Sequence, residues 1–235
     1  MLPRSPAVFS LLSYFRVPEF MADFEKLSVA SLSAVRRAKD GAVRFVGPAH
    51  VAEPYRFRNY YPEQEWLAQV TREHVRCFVG VHEPNGALRR RFALQWQAHE
   101  SLDIIVGKLE LDAERSELLT DAHELMRVDD DAATAGEDDV ELDVHGYVLR
   151  DDNVCMERQT VSANVWSSDD GTARRFIHTA VPLTQGMCGG AVVSRHAPRN
   201  LFGIVEGVVR TGPLHLVGTA ALIRRDAIQK FGDVL

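Results

Sequence analysis

The chemistry in this chain begins with a thiol. Cys188 stands in Thr184-Gln185-Gly186-Met187-Cys188-Gly189-Gly190-Ala191, with one glycine two positions before it and two directly after. Glycine accepts backbone conformations and close approaches that a side chain forbids, so the run describes a sharp turn with a thiol at its bend. Cysteine is the most readily activated of the common nucleophiles. A nucleophile at such a bend needs its own N–H and a neighbouring N–H aimed at one spot, where a carbonyl oxygen would become an oxyanion. A structural turn around a buried cysteine has the same glycine pattern. Asp103, in Ser101-Leu102-Asp103-Ile104-Ile105-Val106-Gly107-Lys108-Leu109, heads three β-branched residues. A carboxylate entering a buried strand is costly unless it is hydrogen-bonded. A histidine imidazole meets that need; a surface aspartate capping the strand is the alternative. His50, in Gly47-Pro48-Ala49-His50-Val51, follows a strand-like run, where a lone histidine is ordinarily a surface residue.

The elements that must position these residues read mostly as strands. Residues 19–38 look helical before the turn signal Lys39-Asp40-Gly41, and residues 42–46 read as a strand. Residues 54–62 form a loop rich in Tyr, Arg and Pro. Residues 63–73 suggest one short helix, with Trp66, Leu67 and Val70 on one side. Strands at 75–81 and 88–96 flank Asn85-Gly86, and Cys77 in the first of them reads as a small core residue. Residues 112–141 are acidic, with Asp129-Asp130-Asp131 and Glu137-Asp138-Asp139. They read as a solvated linker, and no calcium-loop spacing is present. Strand patterning resumes at 140–149, 159–166, 174–181, 201–208 and 218–223, with a turn at Asp169-Asp170-Gly171. Residues 224–231 read as a short terminal helix.

Several stretches together resemble the chymotrypsin-like peptidases, trypsin-like and HtrA-like. Gly186-Met187-Cys188-Gly189-Gly190 resembles G-x-S-G-G with cysteine at the serine position. It is similar to the G-x-C-G-G of the chymotrypsin-fold cysteine proteases of positive-strand RNA viruses. The run from Ser31 through Asp40-Gly41 to Ala49-His50-Val51 resembles the strand, turn, strand and "A-H-V" corner of these enzymes. Asp103 to Leu109 resembles "D-[IL]-A-[LV]-L-K-L". Gly146-Tyr147-Val148 and Gln159-Thr160-Val161-Ser162-Ala163-Asn164-Val165 resemble "G-Y-P" and "Q-T-V-S-x-G-x-V", with Asn164 where glycine is usual. Gly203-Ile204-Val205-Glu206-Gly207 resembles "G-I-V-S-W-G". The order His, Asp, nucleophile is the chymotrypsin order.

The resemblance implies an all-β, chymotrypsin-like double β-barrel with a helical N-terminal extension and a short C-terminal helix. Its divisions would be an extension at 1–26, a barrel at 27–111, an acidic linker at 112–139, and a barrel with the terminal helix at 140–235. It implies a cysteine endopeptidase, with Cys188 as nucleophile, His50 as general base and acid, and Asp103 holding the imidazole tautomer. The N–H groups of Gly186 and Cys188 would form the oxyanion hole. Pro182, Leu183 and Gln185 would approach the wall for the cleaved residue's side chain. Gly203, Val205, Glu206 and Gly207 would line the edge where substrate lies as an added strand. No cofactor and no metal are implied; the partner is a protein or peptide substrate. The departures are Met187 in place of an acidic residue, an uncharged side-chain wall including Thr184, no histidine near Val205, and Glu206 where a small residue is usual. They leave a second expectation, a catalytically weak or inactive protease-fold subunit serving as a scaffold in a larger, for instance mitochondrial, assembly.

Composition bounds the setting. The chain has 235 residues, 46% hydrophobic and 26% charged, with net charge −6 and no basic stripe. That argues against direct nucleic-acid binding. Arg89-Arg90-Arg91 reads as a solvated strand edge. No apolar run approaches a membrane span. Three cysteines, Cys77, Cys155 and Cys188, suggest free thiols in a reducing, intracellular compartment. The first 18 residues carry Arg4, Arg16 and three serines with no acid, which fits a mitochondrial transit peptide or an unstructured or docking tail.

Overall fold

Apolar runs that alternate between two buried faces account for most of the secondary structure. The computed structural model describes residues 5–17, 19–37, 39–120, 123–128, 141–150, 155–166, 175–208 and 218–232. The first half contributes β1 (Ser5–Pro6), β2 (Val8–Phe15), β3 (Glu25–Arg36), β4 (Val43–Gly47), the single turn α1 (Ala49–Ala52), β5 (Val75–His82), β6 (Leu88–Ala98) and β7 (Ile105–Leu109). Then come α2 (Asp112–Leu118), β8 (His123–Glu124) and β9 (Met126–Arg127). The second half adds β10 (Glu141–Leu149), β11 (Met156–Trp166), β12 (Arg175–Thr179), β13 (Ala191–Ser194), β14 (Ala197–Val208), β15 (Thr219–Arg224) and α3 (Arg225–Gly232).

The structure is mostly strand. β13, β10, β11, β12, β15 and β14 pair in that order, and the β13–β14 pairing closes them into a six-stranded barrel. Among the earlier strands, β3, β2, β5, β6, β7 and β4 pair in order, and β4 pairs back onto β3. β9 runs parallel to both β3 and β14 and joins the two sets.

Successive side chains on a strand face opposite ways, and here both directions lead into apolar cores. On β7, Ile105 packs with Leu11, Leu32 and Phe45, while Val106 packs with Val46, Met126 and Ile204. On β13, Val192 joins Leu142, Val161 and Ile177, while Val193 joins the same layer as Val106. That shared layer contains residues of both halves and is capped by Ile228 and Phe231 of α3. Each such side chain withdrawn from water contributes about 1.5–3 kcal/mol.

Four expectations change. Residues 19–38 do not form a helix: strand β3 begins at Glu25, and Val29 through Val35 are all buried. A helix would bury one stripe only, whereas β3 is paired on both edges and enclosed on both faces. In place of a helical N-terminal extension, β2 pairs with β3 on one side and β5 on the other. Its serines disguise it, because Ser10 and Ser13 are fully buried. Ser10 Oγ lies 2.7 Å from His82 Nε2. Residues 63–73 form two 3-10 turns, Glu65–Gln69 and Arg72–His74. The stretch after 111 is not wholly solvated, since Leu118, Met126 and Val128 are buried. The acidic runs at 129–131 and 137–139 and the turn at 169–171 lie outside the described residues. α3 falls where the C-terminal helix was expected.

Candidate active site

β4 delivers the chain to Pro48, and α1 then turns His50 inward; all four residues of α1 are buried. Two bonds from one carboxylate fix the imidazole. The His50 backbone N–H donates to Asp103 Oδ1 at 2.7 Å, and Nδ1 lies 2.6 Å from Asp103 Oδ2. Holding the residue by backbone and ring together defines its place, with Nδ1 turned toward the acid. His50 and Asp103 are 6% and 5% exposed, so the buried carboxylate has the partner its position demands. Cys188 lies close enough to His50 to act on its charge. Burial opposes the imidazolium charge, but Asp103 and Cys188 outweigh it, and His50 is raised to about 9.

The loop after α1 encloses this pair. Tyr60 stacks on the imidazole at 4.5 Å between centroids and 3° between planes, and Phe57 meets it edge-on at 6.5 Å. The Tyr61 hydroxyl donates to His50 O at 3.0 Å. Glu53, buried at the start of this loop, accepts from Arg56 at 2.9 Å, Trp96 Nε1 at 3.2 Å and Arg72 at 3.3 Å. That network ties the aromatic loop to β6. An open hollow of about 760 Å³ lies alongside, lined by residues that include Phe57, Arg58, Glu100 and Ser101.

Glycine conformation shapes the turn that carries Cys188. Gly186 has φ +102° and Gly189 φ +79°, where a side chain is strained. A Cβ on Gly186 would lie 2.6 Å from Tyr147 O, and one on Gly189 would lie 2.2 Å from Ser31 O. The carbonyls of Gln185 and Met187 accept from Leu149 N–H at 2.9 Å and Gly190 N–H at 2.9 Å. No peptide bond is cis among the described residues, so in each unit the N–H points opposite to its carbonyl. The N–H groups that follow, those of Gly186 and Cys188, therefore face away from these partners. Among the described residues neither has a hydrogen-bond acceptor in the protein. Two free donors beside a thiol form an arrangement able to hold an anionic oxygen. Cys188 itself is half-buried.

The expected substrate-binding residues divide. Pro182 and Gln185 are exposed beside the turn. Leu183 is buried in the barrel core with Val161 and Ile177, and Val205 is buried there too, so neither side chain faces a cleft. Gly203 is pressed against β15, where a Cβ would meet Ile223 O at 2.6 Å. Val205 pairs with Leu222 and Gly207 with Ala221, which makes Glu206 the extra residue of a β-bulge. Gly207 borders open space. Beyond Ile204, the edge of β14 away from β15 has no strand partner among the described residues. The leading charges acting on His50 are those of Asp103 and Cys188, not Glu206.

Sequence reasoning missed Ser31, Ser33, Tyr60 and Tyr61. Serines two apart inside an apolar strand were the available signal for the first two; the aromatic loop gave none that was specific. Among the described residues, no group of three His, Cys, Asp or Glu side chains is placed to hold a metal ion. No helix there is long and apolar enough to cross a membrane. Comparison of the chain with protein-family models and with curated proteins finds no match.

Proposed function

We propose that this chain is a cysteine endopeptidase of the chymotrypsin-like, double-barrel kind. The observation that carries the reading is the chain of contacts Asp103–His50–Cys188 ending at a turn with two unpartnered N–H groups. The two pairing circuits support the double barrel, one drawn from strands between Val8 and Leu109 and the other from strands between Glu141 and Arg224.

In this reading Cys188 attacks the scissile carbonyl carbon as a thiolate, its proton already held by His50. The carbonyl electrons move to oxygen, which the N–H groups of Gly186 and Cys188 hold. His50, raised to about 9, stays protonated through neutral pH and gives its proton to the leaving amine. With the C–N bond broken and the amine gone, a water gives a proton to the now neutral His50 and attacks the thioester; the C–S bond breaks, the acid product leaves and Cys188 returns to thiolate. The substrate lies along the open edge of β14 at Glu206, Gly207 and Val208 as an added strand. Pro182, Thr184 and Gln185 are uncharged, which supports substrates without a basic residue at the cleaved position. The free thiols support an intracellular setting. β2 is built into the sheet on both edges, which supports Val8–Phe15 as part of the folded protein.

The test is a proteome-derived peptide library incubated with wild type and Cys188→Ala, alongside competitive labelling of Cys188, Cys77 and Cys155 by iodoacetamide. Cleavage by wild type alone, with Cys188 labelled first, supports the enzyme. If wild type cleaves nothing and Cys188 reacts no faster than a free thiol, the scaffold reading replaces it.

A further inference from the structure

The turn that carries Cys188 belongs to the second half of the chain, yet a strand of the first half holds three of its carbonyls. Ser31 N–H donates to Cys188 O at 2.8 Å. Ser31 Oγ donates to Gly186 O at 2.8 Å, and Ser33 Oγ donates to Gly189 O at 2.9 Å. Both serines are fully buried. Two positions apart on β3, they share one face of the strand. Ser31 Oγ also accepts from Tyr147 N–H at 2.7 Å, so its hydroxyl hydrogen has a single direction left. Contact between strand and turn is already at the glycine limit at Gly189.

Peptide planarity converts these bonds into orientation. The unit joining Gly186 and Met187 is held at its carbonyl by Ser31 and at its N–H by Thr184 O. Between Cys188 and Gly189 the holders are Ser31 N–H and Val205 O. Between Gly189 and Gly190 they are Ser33 Oγ and Met187 O. These fixed units border the two whose N–H groups stay free, at Gly186 and Cys188. We infer that Ser31 and Ser33 are positioning residues of the anion-binding turn, so that the first half of the chain sets the aim of donors carried by the second. The inference rests on the peptidase reading for its chemistry, but the clamp has a readout of its own.

Ser31→Ala removes the partner of Gly186 O and of Tyr147 N–H, and Ser33→Ala removes one bond only. The first readout is amide hydrogen exchange. Met187, Gly189 and Gly190 should exchange about tenfold faster or more in each variant, while β10 and β13 keep their protection. The second is a split between two reagents. Iodoacetamide, which needs only the thiol and His50, should alkylate Cys188 within about twofold of the wild-type rate. A peptide aldehyde, whose carbon takes the Cys188 sulfur and whose oxygen lands at the free N–H groups, should bind about tenfold more weakly or worse. Unchanged exchange in both variants overturns the clamp, whether or not the chain is a peptidase. Exchange that rises equally in β10 and β13 also overturns it, as general loosening. Variants whose turn responds as expected, beside a wild type that binds no aldehyde and alkylates like a free thiol, keep the clamp but remove the anion-binding role along with the peptidase reading. Should Ser31→Ala fail to fold, Ser33→Ala carries the same comparison.

Discussion

Stability should carry a specific dependence on pH through His50, and Asp103→Asn should greatly reduce it. His50 rises from an ordinary value of 6.5 to about 9 in the folded chain. Burial alone would move it down; Asp103 and Cys188 reverse that. A folded-state pKa above the unfolded one means the folded protein binds the proton more tightly. The resulting stability is complete below pH 6.5 and disappears as pH climbs through about 9. Each factor of ten in proton affinity is worth about 1.4 kcal/mol, so about 3 kcal/mol is tied to this one proton. Against a total of about 5–15 kcal/mol for a typical native protein, that is easily measured. The assay is urea unfolding at intervals from pH 6 to 10, comparing wild type with Asp103→Asn so that other titrating groups cancel. Wild type should lose the stability across that window. In the variant the neutral amide cannot supply the charge, only Cys188 is left to oppose burial, and the loss should be much smaller than in wild type. Parallel curves for the two proteins, or a wild type whose stability is flat from pH 6 to 10, would refute the buried ion pair.

Three further outcomes follow from the same geometry. Cys188→Ala should abolish cleavage yet change stability by only about 1 kcal/mol, because a half-buried thiol at a turn leaves little cavity; urea midpoints and peptide mass spectra check both halves. Gly189→Ala should prevent normal folding or erase the fast labelling of Cys188, since its Cβ would lie 2.2 Å from Ser31 O at φ +79°, and circular dichroism with thiol labelling separates the two. Deleting residues 1–16 should yield insoluble or unfolded protein, because β2 buries Val8, Phe9, Leu11 and Leu12 and pairs on both edges; a soluble, cooperatively unfolding truncation would support the leader reading.

What the sequence made legible was the part encoded in short-range rules. Three glycines around one thiol specify a turn almost by themselves, and a carboxylate before Ile104-Ile105-Val106 had to find a donor. The partner it found, His50, lies far away in sequence, and only the resemblance joined them. β2 and β3 were misread for a physical reason. Apolar periodicity identifies an element with one buried face, but these strands are enclosed on both, and Ser10, Ser13, Ser31 and Ser33 break the apolar run that would have marked them. A buried serine looks like surface until its acceptor is known, and those acceptors are carbonyls more than a hundred residues along the chain for Ser31 and Ser33. The same blindness applies to Leu183 and Val205. Proximity to the motif suggested a cleft, yet Leu183 from the loop before the turn and Val205 from β14 both enter the barrel core, and a side chain at Gly207 would face open space. The proposed working parts of this site are thus largely main-chain N–H groups, in a turn whose carbonyls are held by distant hydroxyls. Side-chain identity near the nucleophile says little about them, and substitutions on β3 should disturb the turn more than substitutions at the exposed Pro182 or Gln185.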